Sequence, residues 1–251
     1  MVCKLCRENC DLRESHIISE AFYEDVYDKK HHRAVLVSME NPKLKLIQKG
    51  IREKLLCRDC EQKLSKWESI LKRDLIDIGN QKSEFLNISH VDEDLFKVEG
   101  IRYKEFKLAI LSILWRMSIT SDPFFKSYKL GAYEEKLRQR LLDENVADEK
   151  KYPIMVSRYE LDGVFYPGII MGFPPGKYDQ MFTVQSFIIW GHRFVIFVND
   201  KSFPKVPVEA CLRSSGELFV DVCSLIELAS PESALSRIYD EQVKSMYAKM
   251  K

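Results

Sequence analysis

Two Cys-x-x-Cys pairs, Cys3-Lys-Leu-Cys6 and Cys57-Arg-Asp-Cys60, constrain this chain more than any other feature. Two thiolates at this spacing can hold one tetrahedral Zn²⁺ from a tight knuckle turn, and a second such pair completes four-coordination. Zinc held by Cys3, Cys6, Cys57 and Cys60 would tie the N-terminus to a segment far downstream. Each pair is flanked by Lys, Arg or Asp, and the second leads into a helix-like segment, which favours a metal site over other uses of cysteine. Reduced structural thiols and a redox pair are the competing readings, while two separate disulfides at this spacing would be strained. Seven cysteines, four of them in metal spacing, suit a reducing compartment. The polar start Met-Val-Cys-Lys-Leu-Cys lacks a signal-peptide pattern. The expected location is therefore cytoplasmic. Net charge is +1, so no global field draws the chain to nucleic acid or to a membrane surface. The longest apolar run, Leu108 to Trp115, is too short to cross a bilayer.

Residues 1–20 predict the knuckle followed by a β-hairpin, with Leu12, Ile17 and Ile18 as its apolar faces and His16 among them. Cys10 is a third nearby thiol that could replace another ligand, though a turn or core position is the favoured reading. Residues 20–54 form a long insertion, with short strands at Val35-Leu-Val and Leu44-Lys-Leu-Ile and Asn41-Pro42 in the turn between them. Two stretches are basic: the Lys29-Lys-His-His-Arg33 cluster, and residues 43–73 with ten Lys or Arg against four Asp or Glu. Lys54, Arg58 and Lys63 in the second stretch are candidates for neutralising nucleic-acid phosphates. A solvated helix face accounts for the same charges. Cys60 to Ile78 predicts a helix, with Leu64, Trp67, Ile70, Leu71, Leu75 and Ile78 at helical spacing and Gly79-Asn80 at its end. Residues 80–100 read as a polar connector. The chain thus divides into residues 1–80, with the 20–54 insertion, and an α+β part over 100–251. Removing zinc should then unfold residues 1 to about 75 and leave a resistant fragment beginning near 80–100.

Tyr103 to Thr120 is apolar all round, which predicts a buried central helix. Arg116 within it needs a carboxylate or carbonyl partner. Tyr133 to Leu142 predicts a second, amphipathic helix. From Tyr152 short β-branched and aromatic runs alternate with Asp162-Gly163, Pro174-Pro-Gly176 and Gly191-His192, which predicts an antiparallel sheet of about five strands. His192 reads as a turn residue, Cys211 and Cys223 as buried thiols, and Pro231 to Met250 as a closing helix capped by Ser230. No Gly-rich phosphate loop occurs.

Cys-x-x-Cys, then a polar-His-Ile element (Glu14-Ser15-His16-Ile17), then Leu-Cys-x-x-Cys running into a helix resembles the zinc-stabilised HNH endonucleases. The resemblance covers residues 3 to about 70 and implies an N-terminal zinc-binding ββα (HNH/treble-clef-like) domain, followed by buried helices, the antiparallel sheet and the closing C-terminal helix. It implies a structural Zn²⁺ and a catalytic Mg²⁺ or Mn²⁺, and a nuclease acting on DNA or RNA. His16 falls on the general-base position. Ser15 stands where a metal-binding acidic residue or His is usual, Arg52 where an Asn orients the base, and Glu61 where the second His ligand is usual. Glu61 and Glu68 share a helix face, which offers a rebuilt carboxylate site with His16 as base or, equally, a solvated helix face. Bacterial proteins of this layout often serve in defence against foreign DNA, sometimes beside an ATPase partner. The alternative is a catalytically inactive zinc scaffold that binds nucleic acid or a partner protein.

Overall fold

A computed structural model of the chain describes residues 1–28, 30–36, 45–146, 148–178, 182–198 and 208–225. The closing helix expected over Pro231 to Met250, the Asn41-Pro42 turn and Lys29 lie outside the described residues. Strand β1 (Leu12–His16) is followed by β2 (Ala34–Leu36) and β3 (Lys45–Ile47), then β4 (Arg52–Cys57) and helix α1 (Arg58–Asn80). The expected hairpin within residues 1–20 is instead a pairing of β1 with β4, antiparallel, with His16 opposite Arg52 and Leu12 opposite Cys57. The insertion sits between these strands and forms its own hairpin of β2 with β3, as its apolar runs predict.

Helix α1 buries Cys60, Leu64, Trp67, Leu71, Leu75 and Ile78, the stripe that recurs every three to four residues. Asp59 and Glu61 in its first turn suit the helix dipole. The helix runs through Gly79 and ends on Gln81, whose left-handed backbone (φ 50°) places its amide on the Asp77 and Ile78 carbonyls. Gly79 is needed for space: a Cβ there would lie 2.4 Å from the Phe165 ring.

The stretch read as a connector is a β-hairpin, β5 (Asn87–His90) with β6 (Leu95–Glu99), and β6 buries Phe96 and Val98 at alternate positions. Helix α2 (Tyr103–Ile119) is buried from Phe106 to Ser118, as its apolar character predicts. It packs against α1 and against α3 (Ala132–Leu142). The remaining strands are β7 (Ile154–Leu161), β8 (Val164–Phe165), β9 (Met171–Gly172), β10 (Gly176–Tyr178), β11 (Phe182–Ile189), β12 (His192–Phe197) and β13 (Leu218–Ser224). They form with β5 and β6 a nine-stranded sheet of order β10-β11-β12-β7-β13-β6-β5, with β8 beside β7 and β9 beside β11. The sheet is larger than expected and mixed, because β13 runs parallel to β7 and antiparallel to β6. Alternation along a sequence marks strands but not their neighbours. One contiguous buried cluster runs from Cys3 and Leu5 through α1 and α2 to Val220. Among the described residues, no helix is long and apolar enough to cross a membrane.

Two-residue turns join β7 to β8 and β11 to β12. Asp162-Gly163 (φ 52° and 75°) and Trp190-Gly191 (φ 50° and 71°) both take the left-handed geometry that such turns require. His192 is therefore not in the turn but begins β12, fully buried. Its ring lies parallel to the Trp190 indole and 5.2 Å from the Phe165 ring, and its Nδ1 is 2.9 Å from the Trp190 carbonyl. That geometry puts the proton on Nδ1, donating to the carbonyl. Burial pushes the His192 pKa down to about 3, with Arg158 adding to the effect against the Trp190 carbonyl. An unfolded histidine titrates near 6.5, so between about pH 6.5 and 3 the unfolded chain binds the extra proton. Stability should therefore fall with acid across that window, by about 1.4 kcal/mol per pH unit from this group. The urea midpoint of His192→Gln should lie below that of the wild type at pH 7, and the gap should narrow toward pH 4. A gap that stays constant would show that His192 titrates like an exposed histidine.

Candidate functional site

The N-terminal knuckle is closed by backbone hydrogen bonds from the Cys3 amide to Glu8 (2.9 Å) and from the Arg7 amide to Cys3 (3.0 Å). Arg7 takes the left-handed conformation (φ 67°) that turns the chain back. The Lys4 amide donates to the Leu55 carbonyl (2.9 Å), which docks the knuckle on β4. Cys57 ends β4 and Cys60 lies in the first turn of α1, so the second pair is presented by a strand-to-helix junction. The four Sγ atoms all lie within 4.8 Å of one another, with Cys6 and Cys57 at 3.9 Å. Tetrahedral zinc with Zn–S bonds of about 2.3 Å requires sulfurs about 3.8 Å apart. The four thiols thus form a cluster able to hold one metal ion such as zinc.

The electrostatics of the cluster fit a cation. Burial raises the Cys3 thiol, but the backbone amides of Cys6, Cys57 and Leu5 outweigh it and hold Cys3 down at about 7. Burial raises Cys60, and the charge of Cys3 raises it further. A first thiolate therefore opposes the next, and a divalent cation removes that opposition. Cys10 stays outside the group, with its Sγ 3.4 Å from the Glu8 carbonyl.

His16 ends β1 opposite Arg52, at the far end of the β1–β4 pair from Cys57. Its Nε2 lies 3.1 Å from Glu20 Oε2, and its carbonyl accepts from Arg116 Nη1 at 2.7 Å. Glu20 is itself held by Tyr27 Oη (2.8 Å) and the Gly50 amide (3.0 Å), contacts that keep its carboxyl ionised below the ordinary range despite burial. Glu61 approaches from the first turn of α1. Its Oε1 is buried with no hydrogen-bond partner among the described residues. Burial lowers the His16 pKa, Glu20 and Glu61 oppose that shift, and Arg52 and Arg116 add to it. The net shift is downward from the ordinary imidazole value.

No family model, curated protein or solved structure matches the chain. What the site can do is therefore read from its own residues.

Of the residues singled out from sequence, the four cysteines converge, while Glu61 acts on His16 through its charge. Ser15 is fully buried and accepts from the Leu56 amide (3.1 Å), so it braces β1 against β4. Glu68 does not join Glu61: it is buried in an ion pair with Arg116, the partner that Arg116 was expected to need. Helical spacing shows which residues share a face but not what packs on it. Lys54 and Arg58 are exposed, whereas Lys63 is engaged by the Leu142 carbonyl (2.9 Å) and Glu144 (3.4 Å) at the end of α3. Glu20 was not foreseen. It follows His16 by four residues, a spacing informative on a helix, but β1 ends at His16 and a short helical turn brings Glu20 back. A cleft of about 430 Å³ lined by Glu14, Lys49, Gly50 and Arg52 opens beside this group.

Proposed function

We propose that the chain is a zinc-stabilised, HNH-type nuclease hydrolysing DNA or RNA phosphodiester bonds at His16. The observation that carries this reading is an imidazole whose Nε2 lies 3.1 Å from Glu20 and on which the Glu61 charge acts, on a strand pair and helix joined by the four-cysteine cluster. The cysteines would hold a structural Zn²⁺. His16 would take the proton of the attacking water, a role that suits a base titrating at or below neutrality. Glu20 and Glu61 would supply oxygen ligands to a catalytic Mg²⁺ or Mn²⁺, which when bound would stabilise charge developing on the phosphate. Arg116 fixes the His16 backbone through its carbonyl, and the exposed Lys54 and Arg58 would meet strand phosphates.

Plasmid, single-stranded DNA and RNA should be tested with Mg²⁺, Mn²⁺ or chelator. His16→Ala should lower cleavage by roughly 10²–10⁴-fold without change in zinc content or in the thermal midpoint, and Glu20→Gln should lower it too. Cleavage that survives in His16→Ala would remove His16 from the reaction. A second reading, a zinc scaffold without catalysis, is favoured by one observation: among the described residues, the four cysteines are the one group of three or more metal-ligating side chains that converge. Metal analysis separates the two, since the scaffold holds zinc and binds neither Mg²⁺ nor Mn²⁺.

A further inference from the structure

A second cavity, of about 310 Å³, lies where the knuckle meets α2 and α3. Lys4 and Arg7 reach it from the knuckle, Trp115 and Ser118 from α2, Lys129 from the loop before α3, and Arg138 from α3 itself. We propose that this cavity binds a phosphate monoester.

Charge is the first reason. Four cationic side chains line the cavity against two carboxylates, Glu134 and Glu135, an excess of two positive charges. Those carboxylates are already engaged. Glu135 accepts from Arg138 through both oxygens, at 2.7 and 2.9 Å, and from Arg7 at 3.2 Å. Glu134 accepts from Ser118 Oγ at 3.2 Å. The cations have donors to spare. Lys129 gives one N–H to the Ser118 carbonyl (3.2 Å), and the Lys4 ammonium makes no hydrogen bond among the described residues. A phosphate monoester carries about 1.5–2 negative charges at neutral pH and three strong acceptor oxygens, which matches both the excess charge and the spare donors. A carboxylate would leave about half of that charge unanswered.

The second reason is a donor left unpaired. Trp115 is 1% exposed and lines the cavity, yet its Nε1–H has no hydrogen-bond partner among the described residues. A buried N–H without an acceptor is costly, and Trp115 is the residue of the cavity wall that carries one among the described residues. Arg138 is itself buried and held by the Leu5 carbonyl, so its guanidinium is fixed in place before any ligand arrives. The volume stands at the lower end of small-molecule sites, with room for a phosphate and a small group attached to it. Such a phosphate can belong to a free mononucleotide or to the end of a nucleic-acid strand. The assignment rests on these residues and not on the reading of His16.

Titration calorimetry on the zinc-loaded full chain tests it with inorganic phosphate, AMP, and one oligonucleotide carrying either a 5′-phosphate or a 5′-hydroxyl. Phosphate and AMP should bind saturably, and Lys4→Gln/Lys129→Gln should weaken both by roughly tenfold or more at unchanged zinc content. Lys129→Gln alone lies away from the cysteines and should weaken them in the same sense, while Lys126→Gln, an exposed neighbour outside the cavity, should leave them unchanged. Trp115→Phe should weaken phosphate as well. Preference for the 5′-phosphorylated oligonucleotide, lost in Lys4→Gln/Lys129→Gln, would identify a strand end as the source. Binding of AMP without that preference would identify a free nucleotide. Absence of saturable binding by every probe, or equal affinity in the wild type and in Lys4→Gln/Lys129→Gln, would overturn the assignment.

Discussion

Cys57→Ser should release zinc and unfold the chain as a whole, not its first eighty residues alone. Structural zinc in small finger peptides contributes about 10–16 kcal/mol of apparent binding free energy at neutral pH. That is as large as the roughly 5–15 kcal/mol by which a typical domain is stable, to within the overlap of the two ranges. Without the metal, the knuckle is held to β4 by little more than the Lys4 amide and the buried Cys3 and Leu5. The consequences do not stop there. Helix α1 buries Leu64, Trp67, Leu71 and Leu75 in the same cluster as Phe106, Ile110, Leu114 and Phe194. Losing α1 would bare a face of α2, a helix buried on nearly every side. Chelation should therefore give one cooperative loss of ellipticity, and limited proteolysis should leave no resistant core. A protected fragment beginning near residue 80–100 would instead show that the two halves of the cluster are separable, as the sequence alone leads one to expect.

Arg116→Met should cost about 3–5 kcal/mol, because it strands Glu68 as an uncompensated buried charge. Both partners are nearly inaccessible, and burial lowers even the Arg116 guanidinium to about 10, which leaves it charged near neutrality. Arg116→Lys should not restore the loss, because one ammonium cannot reach both Glu68 and the His16 carbonyl as the guanidinium fork does. Glu68→Leu combined with Arg116→Met should recover most of the stability, since well-packed apolar pairs replace buried ion pairs at little cost. Urea midpoints of the singles and the double close the cycle. Single-variant costs below about 1 kcal/mol, the range of exposed pairs, would mean that water reaches this pair. The double variant also frees the His16 backbone, so regained stability without regained cleavage would separate the structural role of Arg116 from its positioning role.

The helices were legible because their apolar residues repeat at helical spacing, and α2 was recognisable as buried from its composition alone. The cysteine cluster was legible because metal geometry imposes a spacing. What escaped was partnership across distance. Nothing local to Leu12–His16 names β4 as its partner, since the whole insertion intervenes. The β5–β6 hairpin was missed because only Phe96 and Val98 of β6 mark its buried face, within a run rich in charge. His192 looked like a turn residue because the Gly before it signals a turn, yet the two turn positions are Trp190 and Gly191. At the candidate site, Glu20 and Glu68 exchanged roles. Periodicity placed Glu68 beside Glu61, where Arg116 claims it, while the turn after β1 brought in Glu20, for which no spacing rule speaks.

The placement of β13 between β6 and β7 bears on how the sheet is assembled during synthesis. Its residues, 218–224, follow all the other described strands of the sheet in the chain, yet they occupy an interior position. Until they emerge from the ribosome, the β5–β6 hairpin and the block from β7 to β12 exist as separate pieces. Each then presents an open edge of unpaired amides and carbonyls, and open edges recruit other chains. A nascent chain stopped before Leu218 would expose two adhesive edges in place of a slightly smaller sheet, so the sequence that closes this fold is also the sequence that keeps it from self-association.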